Sequence, residues 1–258
     1  MKSIYDIQLN SAEGTPNHLE QYKGKVTLVV NTTVGCGNAN QLEVLQWLQE
    51  KYGNEDFEII AIPTNDYCGP GVTKGKWSEG ITCGLDSKNY GEDVYGTTFK
   101  YSEMITSNPH EKFYEMYPHF HADRIKQPPH ELYAEISSQM KSLYEMKESL
   151  EDSNTEGKFM SQWLNLGFYN GVYMGGNYEK YLIDKDGYVI KHFENTVLNY
   201  DIEKTYKESL IAEGAQNPSQ GFGRTTEIFN EEYAFVCSEI EKAIAGARSA
   251  LNPSLAKV

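Results

Sequence analysis

The sequence predicts an α/β domain, and three observations carry that prediction. Lys25–Asn31 and Phe57–Ile62 are short apolar runs rich in β-branched residues, the pattern of strands buried on both faces. A segment with apolar residues near helical spacing separates them, and strand–helix–strand order implies a parallel pair with a right-handed crossover. Further along, Tyr178–Ile183 and Tyr188–Phe193 alternate on either side of Asp184-Lys185-Asp186-Gly187, a hairpin signal.

Taken in order, the first strand runs into Thr32-Thr33-Val34-Gly35-Cys36-Gly37, a turn whose cysteine has glycine on both sides. From about Asn38 to Tyr52, Leu42, Leu45, Trp47 and Leu48 keep a helical period, and Gly53-Asn54 stop it. Pro63 ends the second strand. Residues 63–100 yield only a short helix near Ser78–Leu85. Residues 104–130, with Pro109, Pro118, Pro128 and Pro129, read as loop, and His130–Leu150 as a long helix bearing Leu132, Ile136, Met140 and Leu143. Residues 151–157 are a polar loop. Helices are expected near Asp201–Ile211 and from about Thr226 to Leu251, joined by a Gly214–Arg224 linker. The chain shows no internal repeat.

The 258 residues can bury a sizeable core, and 39% hydrophobic with 23% charged content fits a soluble globular protein. No stretch approaches the roughly 20 apolar residues that span a bilayer. Met1-Lys2-Ser3-Ile4-Tyr5-Asp6 has no apolar run behind it, so no signal peptide and a cytoplasmic location are expected. Disulfides there are transient rather than structural. Four cysteines (Cys36, Cys68, Cys83, Cys237) are therefore candidates for redox chemistry, metal binding or burial. A net charge of −14 argues against nucleic acid or an anionic membrane as the main partner.

The element order and five local motifs resemble the thioredoxin-fold glutathione peroxidase family. Ser3-Ile4-Tyr5-Asp6 and Leu19-Glu20-Gln21-Tyr22-Lys23-Gly24-Lys25-Val26 are similar to the family's start. Asn31-Thr32-Thr33-Val34-Gly35-Cys36-Gly37 sits where that family carries its peroxide-attacking Cys or selenocysteine. Ile62-Pro63-Thr64-Asn65-Asp66-Tyr67 resembles its Phe-Pro-Cys-Asn-Gln-Phe segment. His130-Glu131-Leu132-Tyr133 resembles the stretch before its last module, and Asn177–Gly187 its Trp-Asn-Phe-x-Lys-Phe-Leu-Val-Asp-x-x-Gly signature. The resemblance covers residues 3–100 and 177–211. It implies a thioredoxin-like domain over residues 1–211, with an insertion at about 101–176, followed by a linker and C-terminal helix at 212–258.

Two of the family's four site positions are replaced. Counting from Asn65 without gaps, the Gln position falls on Pro70, and the Trp position falls on Gly176, just before the matching Asn177. Both replacements remove side-chain N–H donors to a sulfur anion. The same count puts Cys83 at the resolving cysteine of the thioredoxin-dependent branch, although Gly80-Ile81-Thr82-Cys83-Gly84 does not otherwise match.

Cys36 follows a strand and precedes a helix by about two residues, where backbone N–H groups favour the thiolate, the attacking form. An inert buried cysteine is the plainer alternative. Asn177 would donate its amide hydrogens to the Cys36 sulfur, or else only cap the hairpin. Cys68, in Tyr67-Cys68-Gly69-Pro70-Gly71, competes with Cys83 as resolver, and Cys237 shares a helical face with Phe229, Ile240 and Ile244, which suits core. Gly71-Val72-Thr73-Lys74-Gly75-Lys76-Trp77 fails as a phosphate loop by spacing and by its Trp. Asp184–Gly187 lacks the ligands of a calcium loop, and His119, His121 and Asp123 lack a fourth metal ligand.

The expected function is a thiol peroxidase acting on hydrogen peroxide or small hydroperoxides, without bound cofactor. Cys36 attacks, Cys83 resolves, and a thioredoxin-like protein or glutathione restores the thiols. The rival expectation is a module whose catalytic set has decayed, kept for binding or for assembly, with a homo-oligomer formed through the C-terminal helix.

Overall fold

The structure is a computed structural model that describes residues 1–34, 38–54, 56–64, 66, 81–107, 128–150 (backbone only beyond 140), 177–195, 197–199 and 226–246. Its strands are β1 (Val26–Thr32), β2 (Phe57–Pro63), β3 (Lys100–Tyr101), β4 (Lys180–Ile183) and β5 (Val189–Phe193). They form one sheet in the order β3-β2-β1-β4-β5. β1 pairs parallel with β2 from Val26↔Phe57 to Thr32↔Pro63, and β2 pairs parallel with β3. β4 lies antiparallel to β1, and β5 antiparallel to β4. All four strands expected from the sequence therefore share a sheet. β3 was not anticipated, because two residues are too few to show a period.

The helices are α1 (Gln41–Tyr52), α2 (Gly84–Tyr95), α3 (Glu131–Leu150) and α4 (Thr226–Ile244). One face of the sheet, with Leu28, Val30, Ile59, Leu182 and Ile190, packs against Leu42, Leu45 and Leu48 of α1 and Phe229, Val236 and Ile240 of α4. The other face, with Val29, Ile60, Ile62, Tyr181 and Val189, packs against Leu132, Tyr133, Ile136 and Met140 of α3 and against the N-terminal segment Ile4–Tyr22. Cover on both faces explains why β1 is buried at every position and reads as one apolar run. The apolar stripe of α4 is thus used inside this chain, on the same core as α1.

Several boundaries differ from expectation for physical reasons. Of the short helix expected near Ser78–Leu85, residues 78–80 lie outside the described residues, 81–83 are not helical, and α2 begins at Gly84; its buried residues are Gly84, Ser87 and Gly91, which carry no apolar period. α1 starts three residues later than Asn38, after a tight turn in which the Gln41, Leu42 and Glu43 N–H groups bond the Asn38, Ala39 and Asn40 carbonyls. β4 starts at Lys180 rather than Tyr178, because Tyr178 has a left-handed φ of 65° that no strand accommodates. α4 is described to Ile244, short of Leu251. The hairpin is as expected. Gly187 takes φ 89°, and a Cβ there would lie 2.0 Å from Ser3 Oγ. The expected helix at 201–211, the linker at 214–224 and the polar loop at 151–157 lie outside the described residues.

Candidate functional site

The carboxyl end of β1 runs into Thr32, Thr33 and Val34, all buried. Cys36 itself, with Gly35 and Gly37, lies outside the described residues, as do Cys68, Pro70 and Gly176. The residues on either side of the cysteine turn are firmly held. On the entering side, Asn31 accepts the Glu179 N–H on Oδ1 at 2.7 Å and the Tyr178 N–H on its carbonyl at 2.8 Å. The Tyr178 hydroxyl donates to the Thr33 carbonyl at 2.8 Å, in a buried contact. On the leaving side, Asn199 Nδ2 donates to Asn38 Oδ1 at 2.9 Å, and Gln41 Nε2 donates to the Asn195 carbonyl at 2.7 Å.

Asn177 is buried and adjoins Tyr178 at this same edge of the sheet. Its neighbour is fixed by Lys180, whose side chain is fully buried and donates from Nζ to the Tyr178 carbonyl at 2.7 Å and the Glu194 carbonyl at 3.3 Å. Burial pushes the Lys180 amine down to about 7, against the opposing pull of the Glu179 and Glu232 carboxylates. Glu179 is in turn bonded to His192, both buried on the α3 side of the sheet, with the His192 ring stacked on Tyr181.

Cys83 is exposed and occupies the N-cap of α2. Its sulfur receives the Asp86 N–H, while the Asp86 side chain accepts the Cys83 N–H at 3.2 Å, a reciprocal capping box. Asp86 also accepts the Thr82 N–H and hydroxyl at 2.9 Å, and the Thr82 N–H is the main cause of a carboxyl held below its usual range. The next residue must be glycine. A Cβ at Gly84 would sit 2.2 Å from the Ser102 carbonyl oxygen. This contact seats the start of α2 at the carboxyl end of β3. The described ends of the Cys36 turn lie at the carboxyl end of β1, two strands away on the same edge. At about 4.8 Å per strand, the two strand ends are roughly 10 Å apart.

Between them, at the end of β2, Asp66 is fully buried. Its carboxylate accepts from the Thr64 and Thr106 hydroxyls, both at 2.7 Å, and from the Ser107 hydroxyl at 2.8 Å. Cys237, expected in the core, is buried there, and Lys51 Nζ donates to its sulfur at 3.6 Å. Sequence reasoning missed Tyr178, Asn199, Lys180 and Asp66. Tyr178 had a visible signal, since it stands where the resembled signature has Phe, and the difference is one hydroxyl. Among the described residues, no group of three His, Cys, Asp or Glu side chains is placed to hold a metal ion. His119, His121 and Asp123 are not among them. No helix of the described residues is long and apolar enough to cross a membrane.

A parallel β1–β2 pair, an antiparallel β4–β5 hairpin beside it, helices on both faces and a cysteine four positions beyond the end of the central strand define a thioredoxin-fold protein. Residues 4–119 match the glutathione peroxidase family model, so this segment of the chain is similar to that family. A glutathione peroxidase homolog, BsaA of Staphylococcus aureus strain MW2, is 35% identical over 105 residues, which cover 41% of this chain and 61% of that protein. The match therefore spans less than two thirds of that relative. A glutathione peroxidase homolog of Neisseria meningitidis serogroup B strain MC58 is 27% identical over 207 residues, covering 80% of this chain and 99% of that protein. Of solved structures, T. cruzi GPX1 is 19% identical with a TM-score of 0.44, covering 84% of this chain and 100% of that one.

Proposed function

We propose that this protein is a thiol peroxidase of the two-cysteine kind. The Cys36 thiolate attacks the near oxygen of hydrogen peroxide or a small hydroperoxide; the O–O bond breaks, Cys36 becomes a sulfenic acid, and the leaving oxygen departs as water or alcohol after taking up a proton. Cys83 then attacks the Cys36 sulfur, an S–S bond forms, and the sulfenic oxygen leaves as water. A thioredoxin-like dithiol, or glutathione, returns both thiols by exchange. Asn177 supplies amide donors to the Cys36 sulfur, partly standing in for the donors lost at Pro70 and Gly176. The single observation that supports this reading best is the exposed Cys83 at the start of α2, on the same sheet edge as the anchored ends of the Cys36 turn.

The test is peroxide consumption with thioredoxin, and separately with glutathione, for the native chain, Cys36→Ser and Cys83→Ser. Turnover should be abolished in Cys36→Ser. In Cys83→Ser, peroxide should leave sulfenic or sulfinic acid at Cys36, whereas the native chain yields a Cys36–Cys83 disulfide by peptide mapping. A native chain that consumes no peroxide with either reductant would favour the rival reading, a decayed module retained for binding.

A further inference from the structure

We infer that α4, which lies beyond the span of the family resemblance, serves the Cys36 turn, and that Glu232 on it is a positioning residue. The inference rests on the reading of Cys36 as the attacking thiol. Its support is a continuous chain of described contacts. Glu232 Oε2 accepts the Leu198 N–H at 3.1 Å. Leu198 is fully buried and holds φ 69°, a left-handed conformation that a branched side chain adopts only when its surroundings impose it. The next residue, Asn199, is fully buried and donates to Asn38 Oδ1, two residues after Cys36. Four residues before Asn199, the Asn195 carbonyl receives Gln41 Nε2 at the first residue of α1.

Residues 195 and 197–199 are thus clasped between α4 and the residues that follow Cys36. Leu198 and Phe229, Val236 and Ile240 of α4 belong to one apolar cluster, so the helix supplies packing as well as the carboxylate. The opposite charge nearby is the buried Lys180 amine, which donates to the Glu194 carbonyl at the head of the same segment. Glu232 itself does not touch the reacting atoms. It holds Leu198 in its strained conformation, which keeps Asn199 on Asn38 and fixes the exit of the turn. A loosened exit holds the segment that carries Cys36 less firmly, and its thiol reacts more slowly.

The experiment uses the full chain and follows alkylation of each cysteine by iodoacetamide with peptide mapping, so that Cys83 serves as an internal control. Glu232→Ala should slow Cys36 about tenfold, the scale on which small misplacements of a reacting group act, and leave Cys83 unchanged. Glu232→Gln keeps an acceptor oxygen and should recover most of the loss. Asn199→Ala leaves α4 intact and should give a similar loss. The double variant should be no slower than the slower single variant, because both lie on one path. Equal Cys36 rates in Glu232→Ala and the native chain overturn the inference. So does slowing of both cysteines together, or multiplication of the two effects in the double variant. Peroxide consumption, measured alongside, separates the two ideas. A native Cys36 that is alkylated in this pattern but consumes no peroxide sinks the peroxidase reading and leaves the positioning role standing.

Discussion

A buried lysine ammonium makes a measurable demand on pH. The Lys180 amine titrates near 7 in the fold against an ordinary 10.5. Between those values the unfolded chain binds the proton and the folded chain sheds it, so stability rises with pH across this interval. Below it both states carry the proton and the full cost of burying the ammonium is present; above it neither does. At about 1.4 kcal/mol per pKa unit, the rise between pH 7 and 9 amounts to roughly 2 kcal/mol. Of the other buried groups, the tyrosines set the upper end of the usable range, at about pH 9. His18 and His130 are held below 6.5 by burial and act in the same direction at lower pH. Tyr5, Tyr22, Tyr101 and Tyr133 are raised above 10.0 by burial and act in the opposite direction as the unfolded chain's phenols ionise, from just below about pH 10 upward. The assay is urea unfolding at pH 7, 8 and 9 for the native chain and Lys180→Met. The native chain should gain stability across the series, and Lys180→Met should lack that gain. Parallel profiles for the two proteins would refute a desolvated amine at Lys180.

Two further outcomes follow from single contacts. Gly84→Ala drives a methyl group into the Ser102 carbonyl; it should cost about 2 kcal/mol by calorimetry, as overpacking does, and speed alkylation of Cys83 as the start of α2 lifts away. Unchanged stability would mean that the α2–β3 contact is looser than 2.2 Å implies. Asp66→Asn turns an NH2 group toward hydroxyl and N–H donors, and should cost roughly 2 kcal/mol, seen as a lower urea midpoint with the slope unchanged. A neutral result would show that the Thr64, Thr106 and Ser107 hydroxyls turn to other acceptors.

What was legible in the sequence follows from how each element is stabilised. β1, β2 and the β4–β5 hairpin are buried on both faces or closed by a turn of Asp and Gly, and both conditions leave a local pattern. β3 and α2 are held mainly by tertiary contact. The buried side of α2 is Gly84, Ser87 and Gly91, meeting Ser102 and Tyr101 through backbone proximity rather than apolar area. Such contacts leave no period to detect. The same holds for the site. Cys36, Cys83 and Asn177 were named from motif order, but their supports join residues far apart in the chain. Asn38 and Asn199, or Thr33 and Tyr178, meet across more than 140 positions. Nothing in the local sequence announces them.

The cap at the start of α2 also bears on the energetics of oxidation. In the proposed cycle, a bond from Cys83 to Cys36 withdraws the sulfur from the Asp86 N–H and opens the capping box. A helix cap contributes about 1 kcal/mol, and that stabilisation belongs to the dithiol alone. The disulfide must form without it, so the couple is shifted toward the reduced side. For a two-electron couple, 1 kcal/mol corresponds to roughly 20 mV of more positive reduction potential. The helix start thus works like a light spring. It returns the thiol to its seat after each exchange with a reductant, and Thr82 and Asp86, which never meet the peroxide, set how strongly it pulls.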